Sequence, residues 1–176
     1  MKTISIAIAA ITLLVAPTPA ARQQRAEADR ERIHAAAFDV MKAARYSTLV
    51  TIGGDTHPQA RIVDPLLGSD RTIWIATNPL TRKVEEIRRD PRVTLLFFNA
   101  AANEYVTVHG RARFVDDAAT KATRWKPEWG PFYKNRHEGA DFLLFEVRPF
   151  RLEISSPRHG LPNDTETWRP VVLEIP

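Results

Sequence analysis

The chain has 176 residues, of which 44% are hydrophobic and 26% are charged, an ordinary composition for a single globular domain with its own core. The sequence contains no Cys, which excludes disulfides, thiolate metal sites, iron–sulfur clusters and a cysteine nucleophile. The net charge of +4 is modest and its charges are interspersed, so composition does not favour nucleic acid as a partner.

The N-terminus has the pattern of a secretory signal peptide. Lys2 precedes an uncharged apolar run over residues 4–16, and small residues follow the run before Arg22. The run is shorter than the ~20 apolar residues that a membrane span requires. We predict a signal peptide over residues 1–21, a single mature domain over residues 22–176, export to the periplasm, and no stable membrane insertion after cleavage. An uncleaved N-terminal anchor is the alternative.

Hydrophobic periodicity then predicts the elements of the domain in chain order. Apolar residues at three- and four-residue steps predict a helix over residues 23–45. Period-two patterns and Gly-rich turns predict three strands, at residues 46–52, 59–67 and 72–77. A short helix is expected from Asn78 to Arg89.

The second half of the chain is predicted to be mostly strand. The apolar run at residues 93–98 is typical of a strand that is buried on both faces. Further elements are a helix at 116–126 and strands at 104–115, 142–147, 150–154 and 171–175. This pattern predicts a mainly β fold: a six- to seven-stranded antiparallel barrel with flanking helices.

The clearest chemical signal lies where the strand at 72–77 ends and the next helix begins. Arg82 and Lys83 place two cations at a helix end that favours anions. With the hydroxyls of Thr77 and Thr81 and the N–H groups of the helix start, they could hold a phosphate. Arg61 would add a third cation if its strand points to the same end of the barrel, and would otherwise be a surface residue.

Simple helix capping is the alternative interpretation of this segment. Asn78 would then be the N-cap and Pro79 the first helical residue. Glu85 and Glu86 would balance the charges of the arginines that follow them.

The order of these elements and motifs resembles the pyridoxamine 5'-phosphate oxidase-like split barrels, and within them the general-stress-protein type of flavin-binding protein. The resemblance covers about residues 30–155 and is most specific in the spacing of Thr77 from Arg82 and Lys83. It implies a homodimer that binds FMN at the subunit interface.

The resemblance also implies which residues contact FMN. Arg61, Arg82 and Lys83 match positions that hold the phosphate, Thr77 matches the end of the flavin-facing strand, and Thr81 stands where Ser is common. The main chain at Ile62 and Val63 would run beside the isoalloxazine ring. The predicted cofactor-binding residues are Arg61, Ile62, Val63, Thr77, Asn78, Thr81, Arg82 and Lys83.

The chain departs from the true oxidases at three places. Leu66 stands where they have Lys, the strand that opens at Glu104 lacks the expected Gln, and their substrate-binding C-terminal segment is not recognisable. The expected function is therefore an FMN-dependent oxidoreductase on an unidentified small molecule, with no catalytic side chain assigned. The alternatives are a non-catalytic flavin, deazaflavin or heme-binding module and a barrel kept as a structural protein.

Other residue types narrow the chemistry. No two of the five His occur at metal-ligand spacing, so no metal site is predicted. Ser155 and Ser156 have no Gly-x-Ser-x-Gly setting, which gives a hydrolase triad no support. An aromatic group could cover a flat ligand or pack at the barrel mouth; it comprises Trp125, Trp129, Phe132 and Tyr133.

Overall fold

The computed structural model describes residues 18–176, so the apolar run of the predicted signal peptide lies outside the described residues. The first helix, α1 (Pro19–Ala44), begins at the N-cap Thr18, whose Oγ1 accepts a hydrogen bond from the N–H of Ala21. It therefore starts four residues before the predicted helix and includes the last residues of the predicted signal. Within residues 18–176, no helix combines the length and apolar composition needed to cross a membrane.

Eight strands form one antiparallel sheet. Their bounds are β1 (Ser47–Ile52), β2 (Pro58–Val63), β3 (Leu66–Leu67), β4 (Ile73–Thr77), β5 (Arg92–Asn99), β6 (Glu104–Val115), β7 (Leu143–Ser155) and β8 (Val171–Glu174). The remaining helices are α2 (Arg82–Arg89) and α3 (Ala118–Thr123), with 3₁₀ turns at Pro127–Phe132, Arg136–Glu138 and Pro157–His159.

The strand order shows how the sheet curls. Neighbouring strands follow the order β2-β1-β5-β6-β7-β4-β3, and β8 also pairs with β7. The two strands at the ends of this order, β2 and β3, are consecutive in the chain and separated only by Asp64 and Pro65. The sheet must therefore curl until its two ends meet, and the predicted antiparallel split barrel is confirmed.

Three local predictions about strands are wrong. The strand expected at 59–67 is divided at Asp64 and Pro65 into β2 and β3. The strands expected on either side of Pro149 form one strand, β7, because β7 accommodates this proline with a bulge: Phe150 is left unpaired where the register with β6 shifts. The 93–98 run is buried on only one face, since Leu96 and Phe98 are 38% and 53% exposed.

The core lies between the curled sheet and α1. Alternate residues of the central strands point inward, and Leu49, Leu95 and Phe145 are fully buried there. Ala37 and Val40 of α1 pack against the same cluster. A second, smaller cluster forms on the outer side of β4 and β7 and consists of Trp74, Val115, Trp129, Phe142 and Leu144.

Candidate functional site

The start of α2 differs from the capping prediction. α2 begins at Arg82 and its N-cap is Thr81, not Asn78. Asn78 instead closes a turn, in which its Oδ1 accepts from the N–H of Leu80 and its carbonyl accepts from the N–H of Thr81. Pro79 belongs to this turn because its fixed φ suits a turn as well as a helix start.

The side chain of Thr81 makes no capping hydrogen bond to the helix. Its hydroxyl donates to the carbonyl of Asn78 at 2.8 Å and lies 3.0 Å from the hydroxyl of Thr77, the last residue of β4. The two hydroxyls therefore face each other across the strand-to-helix turn.

Lys83 completes this group. Its Nζ donates to Thr77 Oγ1 at 2.8 Å and to Thr81 Oγ1 at 3.2 Å. An ammonium has three N–H donors, so one remains for a ligand. Burial lowers the pKa of Lys83, and the nearby positive charge of Arg61 lowers it further. The three side chains form a pre-organised donor group, which we call the α2 cradle: Thr77, Thr81 and Lys83.

A buried carboxylate lies behind the α2 cradle. Glu86 is 3% exposed and accepts hydrogen bonds at Oε2 from Thr51 (2.5 Å) and Arg61 (2.7 Å), while its Oε1 lies 3.1 Å from the Nε of Arg82. Burial raises the pKa of Glu86, but the Thr51 hydrogen bond and the charge of Arg61 outweigh it, so that the pKa lies below its ordinary value. Arg61 thus does point to the end of the barrel where α2 begins.

The electrostatics of this end of the barrel favour an anion. Three cations, Arg61, Arg82 and Lys83, meet one carboxylate, Glu86, which leaves an excess of two positive charges. Because the guanidinium groups of Arg61 and Arg82 are held by Glu86, their positions are set before a ligand arrives.

A groove of about 450 Å³ opens beside the α2 cradle, a size typical of small-molecule sites. Six of the eight predicted cofactor-binding residues line it: Ile62, Val63, Thr77, Asn78, Thr81 and Lys83. Arg61 and Arg82 do not line the groove and instead form ion pairs with Glu86.

The aromatic group forms one wall of this groove. Trp129 is buried and its Nε1 donates to the carbonyl of Asp64 at 3.1 Å, while Trp125 packs edge-on against it. Burial raises the pKa of Tyr133 to about 12. Phe132 lines the groove together with Trp129 and Tyr133, but it differs from them because its side chain is 76% exposed. Trp125 and Trp129 therefore pack at the barrel mouth, and Phe132 is available to a ligand.

Glu104 opens the strand in which the family resemblance leads us to expect Gln, and its role here is structural. Glu104 is fully buried at the start of β6, and hydrogen bonds reach it from Arg158 (3.0 and 3.1 Å), Ser156 (2.6 Å) and Asn99 (3.3 Å). The Arg158 hydrogen bonds lower the pKa of Glu104. Ser156 also lies 2.7 Å from His159, but its side chain is fully buried, so this pair fastens the C-terminal segment to β6.

The sequence interpretation did not assign Glu86, Thr51 or Tyr46 to the site. Tyr46 lines the groove and is 47% exposed. The four-residue spacing of Arg82 and Glu86 was a usable signal for that one pair. The contacts of Glu86 with Thr51 and Arg61 join residues 35 and 25 positions apart, and no local pattern predicts them.

Comparison with known protein families gives a match over most of the domain. The sequence profile named Pyridoxamine 5'-phosphate oxidase matches residues 33–155. The chain belongs to this family. The match includes β1 to β7 and α2, and therefore every residue of the α2 cradle.

Individual members of the pyridoxamine 5'-phosphate oxidase family are more distant. A pyridoxine/pyridoxamine 5'-phosphate oxidase from Acaryochloris marina is 37% identical over 76 residues, which are 43% of this chain and 34% of that protein. The alignment thus spans about a third of the length of this curated relative.

Solved structures of the family share the fold. A protein from Clostridium acetobutylicum related to general stress protein 26 superposes with a TM-score of 0.67 at 16% identity, over 82% of this chain and 94% of that one. General stress protein 26 from Bacillus anthracis superposes with a TM-score of 0.64 at 18% identity, over 83% and 98%. These neighbours show that the chain has the split-barrel fold.

Proposed function

We propose that this chain is an FMN-binding flavoprotein that acts as an oxidoreductase on a small molecule. The observation that carries the proposal is the α2 cradle, in which Thr77 and Thr81 hold Lys83 at the edge of an open groove. Membership of the pyridoxamine 5'-phosphate oxidase family supports it.

The donor set fits the phosphate of FMN. A phosphate needs several hydrogen-bond donors and positive charge, and Lys83 has one ammonium proton beyond those bonded to the threonines. Arg61 and Arg82 add two guanidinium groups within the same cluster. A ligand phosphate would compete with Glu86 for these two arginines.

The rest of the groove fits a flat, partly apolar ring. Ile62 is 68% exposed beside the groove, and Phe132 is exposed on the aromatic wall. Both side chains are apolar and exposed, so the face of a flat ring could pack against them. Bound FMN would supply the redox chemistry, while the side chains named here would bind and orient it.

A homodimer is part of the proposal. Ile62 and Leu96 pair with the two sides of Thr48, so they form one row across β2, β1 and β5. The side chains of Ile62, Leu96 and Phe98 are exposed on this face. A second copy packed there would bury apolar surface and cover the groove next to Ile62. We also propose export, on the basis of the pattern in residues 1–21.

The first test is a titration of the purified protein with FMN, followed by quenching of flavin fluorescence. The Arg82→Ala/Lys83→Ala variant should bind at least about tenfold more weakly, because it loses two charge-assisted contacts. The matched control is Arg25→Ala/Arg169→Ala, which removes the same charge from exposed positions that do not line the groove. Absence of saturable binding to the wild-type protein would refute the FMN proposal.

A second measurement separates an enzyme from a flavin-holding module. Bound FMN in an oxidoreductase should lose its visible absorbance when NADH or NADPH is added and regain it in air. If FMN binds tightly and no electron donor bleaches it, the non-catalytic alternative is correct.

A further inference from the structure

A third buried carboxylate lies on the outer face of the sheet, away from the α2 cradle. Glu146 of β7 is 3% exposed and pairs in register with Arg113 of β6 on one side and Trp74 of β4 on the other. Its Oε1 accepts from the Nε of Arg113 at 2.8 Å and lies 2.9 Å from the Nε of Arg148. One carboxylate oxygen therefore holds two guanidinium groups.

This contact sets the direction of both arginines. A guanidinium is planar, so fixing its Nε leaves the two Nη groups as a fork that points away from the carboxylate. The side chains of Arg113 and Arg148 are 66% and 69% exposed. Their Nη groups make no contact with Glu146 in these ion pairs and can bind an anion from solvent.

Arg111 adds a third cation in an unfavourable position. It lies directly opposite Arg148 of β7 and directly opposite Arg92 of β5. Like charges opposite each other across strands destabilise a sheet. Arg92 pairs with Asp90 at 2.6 Å, whereas Arg111 makes no salt bridge among residues 18–176, although its charge also helps to lower the pKa of Asp90. A bound anion would relieve this repulsion.

These side chains surround a shallow groove of about 700 Å³. Arg111, Arg113 and Arg148 lie along it beside Glu146 and Pro176, so cationic side chains outnumber the one acidic side chain of the lining. Pro91 and Phe150 form apolar parts of its wall. The lining shares no residue with the groove at the α2 cradle.

We propose that Arg111, Arg113 and Arg148 form a phosphate-binding site on the outer face of β6 and β7. The three arginines favour an anion, and two guanidinium groups match the tetrahedral oxygens of a phosphate better than the two oxygens of a carboxylate. The ligand is free phosphate or a phosphate ester with a small apolar part that rests on Phe150. This site does not depend on whether the α2 cradle binds FMN.

The test is calorimetric titration of the full chain with inorganic phosphate at low ionic strength, where exposed charges are least screened. The titration is made in the Lys83→Met background, so that binding at the α2 cradle does not contribute. Arg113→Gln/Arg148→Gln should weaken phosphate binding at least about tenfold, because it removes two charge-assisted contacts.

Two further variants keep the test decisive. Arg111→Gln leaves both partners of Glu146 in place and should still weaken binding, by about threefold or more. Arg25→Gln/Arg169→Gln removes the same total charge as the double variant, from exposed positions outside both grooves, and should bind as the parent does. Equal affinity in all variants, or an equal loss in the control, would overturn the proposal.

A final arm identifies the source of the phosphate. Sedimentation with phosphatidylglycerol vesicles that depends on Arg113 and Arg148, without binding of free phosphate, would show that the site takes a lipid headgroup. Binding of free phosphate without sedimentation would show a soluble ligand. Failure of both arms would refute the site.

Discussion

Two buried glutamates organise two groups of arginines in this barrel, and their surroundings differ. Glu86 and Glu146 are each 3% exposed, and each holds two guanidinium groups. Glu86 lies on a helix beside hydroxyls, a lysine and an aromatic wall, whereas Glu146 lies on an open sheet face. We therefore propose the same charge arrangement for two kinds of ligand: one with a ring beside Glu86, and a bare anion beside Glu146.

Burial of the arginines is the second difference. The side chain of Arg61 is 19% exposed, but those of Arg113 and Arg148 are about two-thirds exposed. A charge that is out of water depends on its partner much more than one that is hydrated. We therefore expect the Glu86 group to matter for folding and the Glu146 group chiefly for binding.

The largest expected effect tests this difference in stability. Arg61→Met should lower the free energy of unfolding by about 3 kcal/mol, because it leaves Glu86 buried with one exposed partner, Arg82. Arg113→Met should cost about 1 kcal/mol or less, since Arg148 remains on Glu146 and both arginines are well hydrated. Urea unfolding measures both, and equal losses would contradict the comparison.

Ligand affinity at the two sites should respond differently to alkaline pH, because one site depends on a lysine and the other on arginines. The pKa of Lys83 is lowered by burial, so its ammonium loses its proton at a lower pH than an ordinary lysine. FMN affinity should fall as the pH rises through that lowered pKa, by about tenfold once the charge is lost.

Lys83→Arg provides the control for this titration, because a guanidinium stays protonated throughout the accessible range. Its FMN affinity should not follow the same alkaline decline. Phosphate binding at Arg111, Arg113 and Arg148 should also be independent of alkaline pH, because arginine side chains stay protonated there. A parallel decline at both sites would show that Lys83 is not the titrating group.

A smaller effect is expected when each glutamate is neutralised. Glu86→Gln should strengthen FMN binding by about threefold, because the carboxylate no longer competes with phosphate for Arg61 and Arg82. Glu146→Gln should strengthen phosphate binding at the outer site by a similar factor, since it leaves three arginines around the groove. Fluorescence and calorimetric titrations measure these changes, and weaker binding in either variant would mean that positioning outweighs charge.

The smallest expected effect concerns acid stability. Hydrogen bonding and the charge of Arg61 hold the pKa of Glu86 below its ordinary value of 4.5 despite its burial. A carboxyl with a lowered folded-state pKa stabilises the fold above its unfolded-state pKa, and this contribution is lost as the pH falls through the folded-state value. Glu86→Gln should therefore lose less stability than the wild-type protein between about pH 6 and about pH 3. An unchanged pH profile would contradict this assignment.

The sequence by itself determined the class of the fold and six of the residues that line the groove beside the α2 cradle. Alternation along residues 104–115 predicted β6 correctly because side chains on a strand alternate between two faces. The Gly53-Gly54-Asp55 turn and the Thr77 to Lys83 segment were also recognisable, since they depend on local backbone preferences. These signals act over a few residues, and the split barrel follows from their order.

Only the tertiary structure decided features that depend on distant partners. The apolar run of β5 does not reveal which face the rest of the fold covers, and Leu96 and Phe98 are exposed although their neighbours are buried. Pro149 lies within β7 because this strand bulges at the next residue, Phe150, where its register with β6 shifts. Glu86 reaches Thr51 and Arg61 only after α2 packs on β1 and β2. Long-range packing brings these groups together, and the periodicity of short segments does not predict such contacts.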